Sequence, residues 1–342
     1  MNLAAPETLL AALVAAPAGL VTTAVQGEAL RLLAAREHRL VTAGAGRQRL
    51  ECAAQHFDPA RFAALQRGDF GHALEVWERL GSTNERAWER VAAGAAAGSL
   101  VLAEEQGTGR GRQGRTWDCP AHAGLLFSLL LHAPLRDSPR PQLLPLALAL
   151  GVAEGLRQAS GVEVRLSWPN DLVLARSDPA SAVALAKVGG LLLETRAEFT
   201  STVVVGCGLN VRVGVDFFTA RGLLGAASLQ PDRVSAGVLE PHGGAAEGRD
   251  SLRRAVVGRE ELLAAVLAGM ERRCGDWQAG SWTALLQAWE TLDALQGLEV
   301  EVQRGAESCR GRARGITPAG LLEVELPDGD RRAFAAGEVH VQ

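Results

Sequence analysis

Lysine and asparagine are scarce in this chain, and tyrosine is absent. Among 35 lysines and arginines in 342 residues the only lysine is Lys187, and asparagine occurs four times. The replacement of lysine by arginine elsewhere indicates a coding bias toward Arg, Ala and Gly. An ammonium group on a flexible stem and a planar guanidinium group are not equivalent. We therefore expect Lys187 to be functional, because it persists against this bias.

Cysteine and long apolar runs are also scarce. The cysteines are odd in number and never in C-x-x-C spacing, which argues against a disulfide framework and a zinc site. The first residues lack the pattern of a signal peptide, and runs such as 143–150 are too short to span a bilayer. We expect a cytoplasmic protein with no membrane segment. The net charge of -4 is atypical of a broadly basic nucleic-acid-binding protein.

The apolar pattern divides the chain into three blocks. Residues 1–68 predict helices followed by a hairpin, an arrangement that resembles a reduced winged-helix-like domain. Residues 72–290 alternate helices with strands, which predicts an α/β (α+β) domain. Residues 291–342 show four short strands separated by Gly, Pro and Asp turns, which predicts a small antiparallel β-barrel.

Periodicity and turn residues also predict the individual elements. Helices are expected at 7–16, 23–36, 57–65, 83–93, 143–159, 259–275 and 281–293. Strands are expected in a hairpin at 38–41 and 47–51, then at 100–103, 124–131, 162–166, 188–194, 202–209, 298–303, 309–316, 320–326 and 331–335. The stretch 236–254 has little apolar periodicity and is interpreted as a mobile loop.

Residues 103–117 alternate glycine with arginine and read Ala-Glu-Glu-Gln-Gly-Thr-Gly-Arg-Gly-Arg-Gln-Gly-Arg-Thr-Trp. Glycine lets backbone N–H groups approach an anion closely. The guanidinium groups add charge-assisted donors for carboxylate or phosphate. Such a loop suits a reaction that brings a carboxylate next to a triphosphate.

Two other interpretations of this loop are disfavoured. Gly109-x-Gly111-x-x-Gly114 satisfies the dinucleotide fingerprint, but that fingerprint needs a helix to start at the loop, and here a strand follows Pro120. A disordered RGG-type RNA-binding segment is disfavoured because the motif occurs once, between two strands.

Four further motifs lie at the ends of expected elements, where functional sites collect. Taken alone, the first is typical of a helix N-cap and the second of a proline turn. Yet the only lysine and three of the four asparagines fall within them. The motifs are Gly81-Ser-Thr-Asn84, Ser167-Trp-Pro-Asn-Asp171, Lys187-Val-Gly-Gly190 and Gly206-Cys-Gly-Leu-Asn210.

Together with the glycine–arginine loop, these motifs resemble the biotin protein ligase family, in the family's order and over about residues 75–335. The loop combined with W-P-N-D is highly specific, although lipoate ligases and octanoyltransferases share the catalytic fold. The resemblance implies a class II synthetase-like catalytic domain followed by an SH3-like β-barrel.

The resemblance also implies an activity and a set of site residues. The enzyme would use ATP to form biotinoyl-5'-AMP and pass biotin to a lysine of a biotin carboxyl carrier protein, as in acetyl-CoA carboxylase. Biotin would be bound by Ser82, Thr83, Asn84, Gln106, Arg110, Gly111, Arg112 and Lys187, with Arg110, Arg112 and Lys187 catalytic. ATP would be bound by Trp117, Asn170, Asp171 and Asn210, with Mg²⁺ held mainly by phosphates.

The sequence departs from the family pattern in two places. Ser167 stands where a lysine commonly precedes W-P-N-D, which removes a positive charge. The first block shows two helices before its hairpin where a winged helix-turn-helix needs three, and segment 23–36 lacks a dense basic face. We expect this block to have a structural or homodimer role rather than to bind DNA. Two alternatives stay open: a biotin-responsive DNA-binding repressor that retains the ligase fold, and a lipoate or octanoate ligase.

Overall fold

The computed structural model of the chain divides it into two compact units, residues 1–56 and 57–342. The expected helices 7–16 and 23–36 and the expected loop 236–254 lie outside the described residues. The description covers 56–175, 185–230, 257–305 and 307–341, and of the first 55 residues only three strands.

The first unit contains a three-stranded antiparallel sheet. Strand β1 covers Leu20–Val21, β2 covers Arg39–Ala43 and β3 covers Arg47–Cys52, in the spatial order β1-β3-β2. The β2–β3 pair confirms the hairpin expected around the glycines of residues 43–46.

The second unit is built on a seven-stranded mixed sheet in the order β4-β5-β6-β10-β9-β8-β7. Its β4–β5 pair is parallel and the other neighbours are antiparallel, which confirms the mixed α/β prediction. The strands are β4 Leu74–Leu80, β5 Leu100–Gln106, β6 Gly124–His132, β7 Arg165–Ser167, β8 Asp171–Ala175, β9 Leu185–Thr195 and β10 Thr202–Asn210.

Helices cover both faces of this sheet, because alternate apolar residues of its central strands point to opposite sides. On one face Val101, Leu130 and Val204 pack against Trp88 of α2. The other face packs against α3 and α5 in the main core. The helices are α1 Pro59–Leu65, α2 Thr83–Ala92, α3 Leu144–Ser160, α4 Val215–Ala220, α5 Arg259–Gln278 and α6 Trp282–Leu292.

A buried ion pair ties the start of α5 to β5. Arg259 Nη2 donates to Glu104 Oε1 at 2.9 Å, and both side chains are almost fully buried. Burial by itself raises the pKa of the Glu104 carboxyl, but hydrogen bonds from His122 and Arg259 and the charge of Arg259 lower it to about 2. The carboxylate therefore stays ionised inside the core and compensates the charge of its partner.

The last residues form a five-stranded antiparallel sheet in the order β14-β13-β12-β11-β15. The four expected strands are confirmed, and the fifth, β15, was missed. This sheet adjoins the larger one, since Trp168 Nε1 donates to the Gly320 carbonyl at 3.1 Å. The strands are β11 Glu299–Arg304, β12 Glu307–Ile316, β13 Leu322–Glu325, β14 Arg331–Phe334 and β15 Glu338–Val341.

The expected elements need one correction and several additions. The strand expected at 162–166 runs over 165–167, because Gly161 ends α3 in the left-handed conformation (φ 66°) and Val164 N then bonds the Val162 carbonyl. Strands β1, β4 and β8 and helix α4 were not expected at all. Within the described ranges, no helix is both long and apolar enough to cross a membrane.

Candidate active site

A cleft beside the seven-stranded sheet gathers the predicted site residues. Its walls come from the start of α2, the glycine–arginine loop, the β7–β8 turn, strands β9 and β10, and β15 of the C-terminal sheet. The predicted residues that line it are Ser82, Thr83, Asn84, Gln106, Arg110, Gly111, Arg112, Trp117, Asn170, Asp171 and Lys187.

The polar end of the cleft is built on the first turn of α2. Ser82 occupies the N-cap position, but its side chain makes no capping hydrogen bond. Gln106 Oε1 instead accepts from Thr83 N at 2.8 Å and lies 3.1 Å from Thr83 Oγ1. The helix start is therefore satisfied by the neighbouring strand end, which leaves the Ser82 hydroxyl available to a ligand.

Ser128 of β6 completes this polar end and was missed by sequence reasoning. It is fully buried, and its Oγ lies 2.8 Å from Thr83 Oγ1 and 2.6 Å from Asn84 Oδ1. The only signal in the sequence is a single polar residue within the apolar run 124–131. That signal does not reveal a partner more than forty residues away.

The two glycines of the β10 motif make room for ligand-facing side chains. A Cβ atom at Gly206 would overlap Asn84 Oδ1, and one at Gly208 would lie 2.6 Å from Trp117 Cε2. Both glycines face the cleft because they are two residues apart on one strand. The Gly-x-Gly spacing therefore lets the Asn84 amide and the Trp117 indole lie against the sheet backbone.

Two cations face the middle of the cleft, each held by one residue of the Asn170-Asp171 pair. Lys187 Nζ lies 2.8 Å from Asp171 Oδ1 and 5.8 Å from the centre of the Trp117 ring. Arg112 Nη1 donates to Asn170 Oδ1 at 3.0 Å. Burial lowers the pKa of the Arg112 guanidinium from its usual value, and the charge of Asp171 opposes that shift. These groups can neutralise an anion placed between them.

The other two arginines of the loop reach the rim. Arg110 lies 3.3 Å from Glu85 and 3.5 Å from Glu194. Arg115 forms an ion pair with Glu338 of β15, which also lines the cleft. Arg112 alone among the three points toward Asn170, and the ion pairs of Arg110 and Arg115 tie the loop to both sheets.

Trp117 and Asn210 differ in their positions. Trp117 lines the cleft, and its buried Nε1 has no hydrogen-bond partner among the described residues. Asn210 does not line the cleft, because the segment after α4 covers it and its Nδ2 donates to the Ala227 carbonyl at 3.1 Å. The structure therefore does not bring Asn210 to the other predicted ATP-binding residues. Ser167, in place of the family's lysine, does line the cleft.

The carboxylates of the cleft are engaged by cations. Asp171 pairs with Lys187 and Glu338 with Arg115. Among the described residues, no group of three potential metal ligands lies within the lining of the cleft. This donor set fits a divalent ion held by phosphate oxygens better than one held by a cage of protein ligands.

The fold and the cleft can be compared with known protein families. Residues 76–210 match the biotin/lipoate A/B protein ligase family, and residues 297–341 match the biotin protein ligase C terminal domain. These two matches cover the sheet strands that build the cleft and most of the C-terminal sheet. The class is therefore that of the protein ligases with a biotin/lipoate-type catalytic domain.

Proteins of similar sequence identify the family within this class. The biotin--[acetyl-CoA-carboxylase] ligase of Mycobacterium tuberculosis is 36% identical over 274 residues, which covers 78% of this chain and 88% of that protein. The bifunctional ligase/repressor BirA of Bacillus subtilis is 27% identical over 268 residues, covering 78% and 73%. The chain belongs to the biotin protein ligase family, as its motifs predicted, and is a ligase.

A solved structure supports the same fold. The biotin protein ligase from Aquifex aeolicus, in complex with biotin and ATP, has a TM-score of 0.60 to this chain at 23% identity. The match covers 80% of this chain and 99% of the other. The prediction of a biotin-ligase fold with an all-β C-terminal domain is confirmed.

Proposed function

We propose that this ligase joins biotin to AMP with ATP and then transfers biotin to a lysine of a biotin carboxyl carrier protein. The observation that supports this most directly is the arrangement of side chains that lie against the glycines of β10. Neutral polar groups lie at Gly206, an aromatic ring lies at Gly208, and two cations face the cleft nearby. The glycines are about 7 Å apart along the strand. A urea ring would occupy the polar end of such a cleft, a carboxylate would lie at the two cations, and a nucleotide would lie against the aromatic ring.

In the first step a biotin carboxylate oxygen attacks the α-phosphorus of ATP. The new P–O bond forms as the bond to the β-phosphate bridging oxygen breaks, and pyrophosphate leaves. Lys187 and Arg112 would neutralise the oxygens on which charge accumulates. Asp171 and Glu338 are already paired, so Mg²⁺ would be carried mainly by the phosphates.

In the second step the neutral amine of the carrier lysine attacks the acyl carbon of the mixed anhydride. The C–O bond to AMP breaks, AMP leaves, and the amine loses a proton as the amide forms. The only thiol that lines the cleft within the described part of the chain is Cys207, and burial raises its pKa. A buried, protonated thiol is a poor nucleophile, which favours direct transfer without an acyl-enzyme.

The carrier and the cellular setting are inferred from the names of the relatives and from the cysteines. The relatives named biotin--[acetyl-CoA-carboxylase] ligase point to the acetyl-CoA carboxylase carrier. The described free cysteines fit a reducing cytoplasm. A homodimer remains a prediction.

The test of the proposed reaction is acid-dependent exchange of pyrophosphate into ATP, with biotin, lipoate and octanoate compared at equal concentration. We expect exchange with biotin at a rate well above the other two acids. Exchange with octanoate or lipoate but not with biotin would overturn the proposal. Transfer is then measured by adding a carrier protein and following biotin on its lysine.

Repression is the second candidate, because several relatives are named bifunctional ligase/repressor. It requires a saturable, sequence-specific DNA complex. A gel-shift assay at a fixed salt concentration, with biotin and ATP present, separates the two functions. We expect weak binding that is independent of DNA sequence, because the formal net charge is -4.

A further inference from the structure

Ser128 is buried in the sheet directly behind the polar end of the cleft. Its neighbours in residues 124–131 are apolar or glycine, so strand formation does not require a hydroxyl at this position. A buried hydroxyl is costly unless it is hydrogen-bonded. Elsewhere a serine meets this need locally, as Ser160 does by donating to the Leu156 carbonyl one turn back. Ser128 instead contacts only Thr83 and Asn84 among its described partners, and both line the cleft.

The geometry around Ser128 constrains the protons of its two partners. Nδ2 of Asn84 faces the Leu192 carbonyl at 3.5 Å, so its Oδ1 faces Ser128 as an acceptor at 2.6 Å. The hydroxyl proton of Ser128 is therefore donated to Asn84. Thr83 Oγ1 lies between two oxygens, Ser128 Oγ at 2.8 Å and Gln106 Oε1 at 3.1 Å. Its single proton goes to one of them, and its remaining lone pair is free for a ligand donor.

We infer that Ser128 is a positioning residue that specifies a ring carrying N–H donors. By fixing the Asn84 amide and the Thr83 hydroxyl, it presents acceptor lone pairs to the N–H groups of a cyclic urea. This inference rests on the proposed function and deepens it. Without Ser128, Asn84 Oδ1 loses its hydroxyl donor, and the amide keeps only the 3.5 Å contact of Nδ2 with the Leu192 carbonyl. Thr83 Oγ1 loses one of the two oxygens that lie beside it.

The test is Ser128→Ala, which removes one oxygen and keeps the volume of the buried site nearly unchanged. We expect the KM for biotin to rise about tenfold, in line with the loss of one or two hydrogen bonds. The KM for ATP and the kcat of exchange should change less than twofold. Ser160→Ala is the matched control, since it removes a serine hydroxyl that bonds only backbone atoms at the end of α3, the Leu156 carbonyl and Val162 N.

Two ligand comparisons separate positioning from a merely structural effect. Desthiobiotin keeps the urea ring, so its KM should rise by the same factor as that of biotin. Octanoate lacks the urea, so its inhibition constant should stay unchanged in Ser128→Ala. Equal losses for octanoate and biotin would overturn the inference, as would an unchanged KM for biotin.

Two further measurements separate the inference about Ser128 from a folding defect of the variant and from failure of the proposed function. If Ser128→Ala does not fold, Ser128→Cys keeps the size with a weaker donor, and an intermediate KM for biotin is then expected. Failure of the proposed function is recognised separately, because the unmodified enzyme would then give no biotin-dependent exchange. A wild-type enzyme that exchanges with biotin, together with an unaffected Ser128 variant, contradicts the inference about Ser128 alone.

Discussion

Lys187→Arg tests whether the single lysine acts through its shape as well as its charge. The ammonium lies 2.8 Å from Asp171 Oδ1 and 5.8 Å from the Trp117 ring centre. A Cβ atom at Gly190 would lie 3.5 Å from Lys187 Cε, so the stem passes close to the strand backbone. A guanidinium is wider and planar, and it cannot occupy the same point without displacing these neighbours.

The expected cost follows from the role of one anion-stabilising donor. Removing such a donor lowers a rate by about 100-fold to 1,000-fold. Because arginine keeps the positive charge and loses only its position, we expect a loss of roughly tenfold to a thousandfold in the first step, or about 1.4–4 kcal/mol. Biotin-dependent pyrophosphate exchange measures this step. Transfer from supplied biotinoyl-AMP to a carrier measures the second step separately and should fall less.

The matched control is Arg61→Lys, which exchanges the cation type in an exposed ion pair with Glu261 outside the cleft. Its exchange rate should equal that of the unmodified enzyme. Full exchange activity in Lys187→Arg, with normal KM values, would refute the argument and identify the lone lysine as an accident of composition.

Three further results are expected. Gly208→Ala should raise the KM for ATP at least tenfold, because the added Cβ displaces Trp117. The control is Gly275→Ala, which has open space at its Cβ and should leave the KM for ATP unchanged. Equal KM values for ATP in the two variants would exclude steric displacement of Trp117. Hydrogen exchange across 107–116 should slow when biotinoyl-AMP is bound, because the loop closes over the reactive anhydride; unchanged exchange would exclude closure. Glu104→Gln should lower the free energy of unfolding at pH 7 by roughly 3–5 kcal/mol, since it removes the buried carboxylate that pairs with Arg259. Because the pKa of Glu104 is lowered to about 2 from 4.5, its stabilising contribution is complete above pH 4.5 and is lost as the pH falls toward 2, which urea unfolding at several pH values measures.

The elements that were predicted from sequence are those with a long repeat of apolar residues. Helices α3 and α5 were expected within three residues of their bounds because many turns repeat the same pattern. Strand β4 reads Leu-Glu-Val-Trp-Glu-Arg-Leu, which does not alternate strictly between apolar and polar residues, and β8 follows the proline turn of W-P-N-D directly. Both are short segments next to turn signals, where local pattern does not separate a strand from a loop.

The site was predictable where a motif places a residue at the end of an element. It was not predictable where the role depends on a distant contact. Asn210 shares a strand face with Gly206 and Gly208, yet the carbonyl of Ala227, from a later segment, takes its amide. Trp168 belongs to the W-P-N-D motif, but its indole bonds the Gly320 carbonyl in the C-terminal sheet. Such roles follow from tertiary packing, which a single sequence does not display.

The ion pair of Lys187 has a consequence for chemical labelling. The 342 residues contain no other side-chain amine, and this one is partly exposed inside the cleft. Because its ammonium lies 2.8 Å from Asp171 Oδ1 inside the cleft, it should react more slowly than an exposed amine with acylating reagents, including the anhydride that a biotin ligase makes. The reaction of Lys187 with an amine-directed reagent therefore reports whether a ligand occupies the cleft. Mass spectrometry of a peptide containing residue 187 would follow protection by ligands without any engineered label.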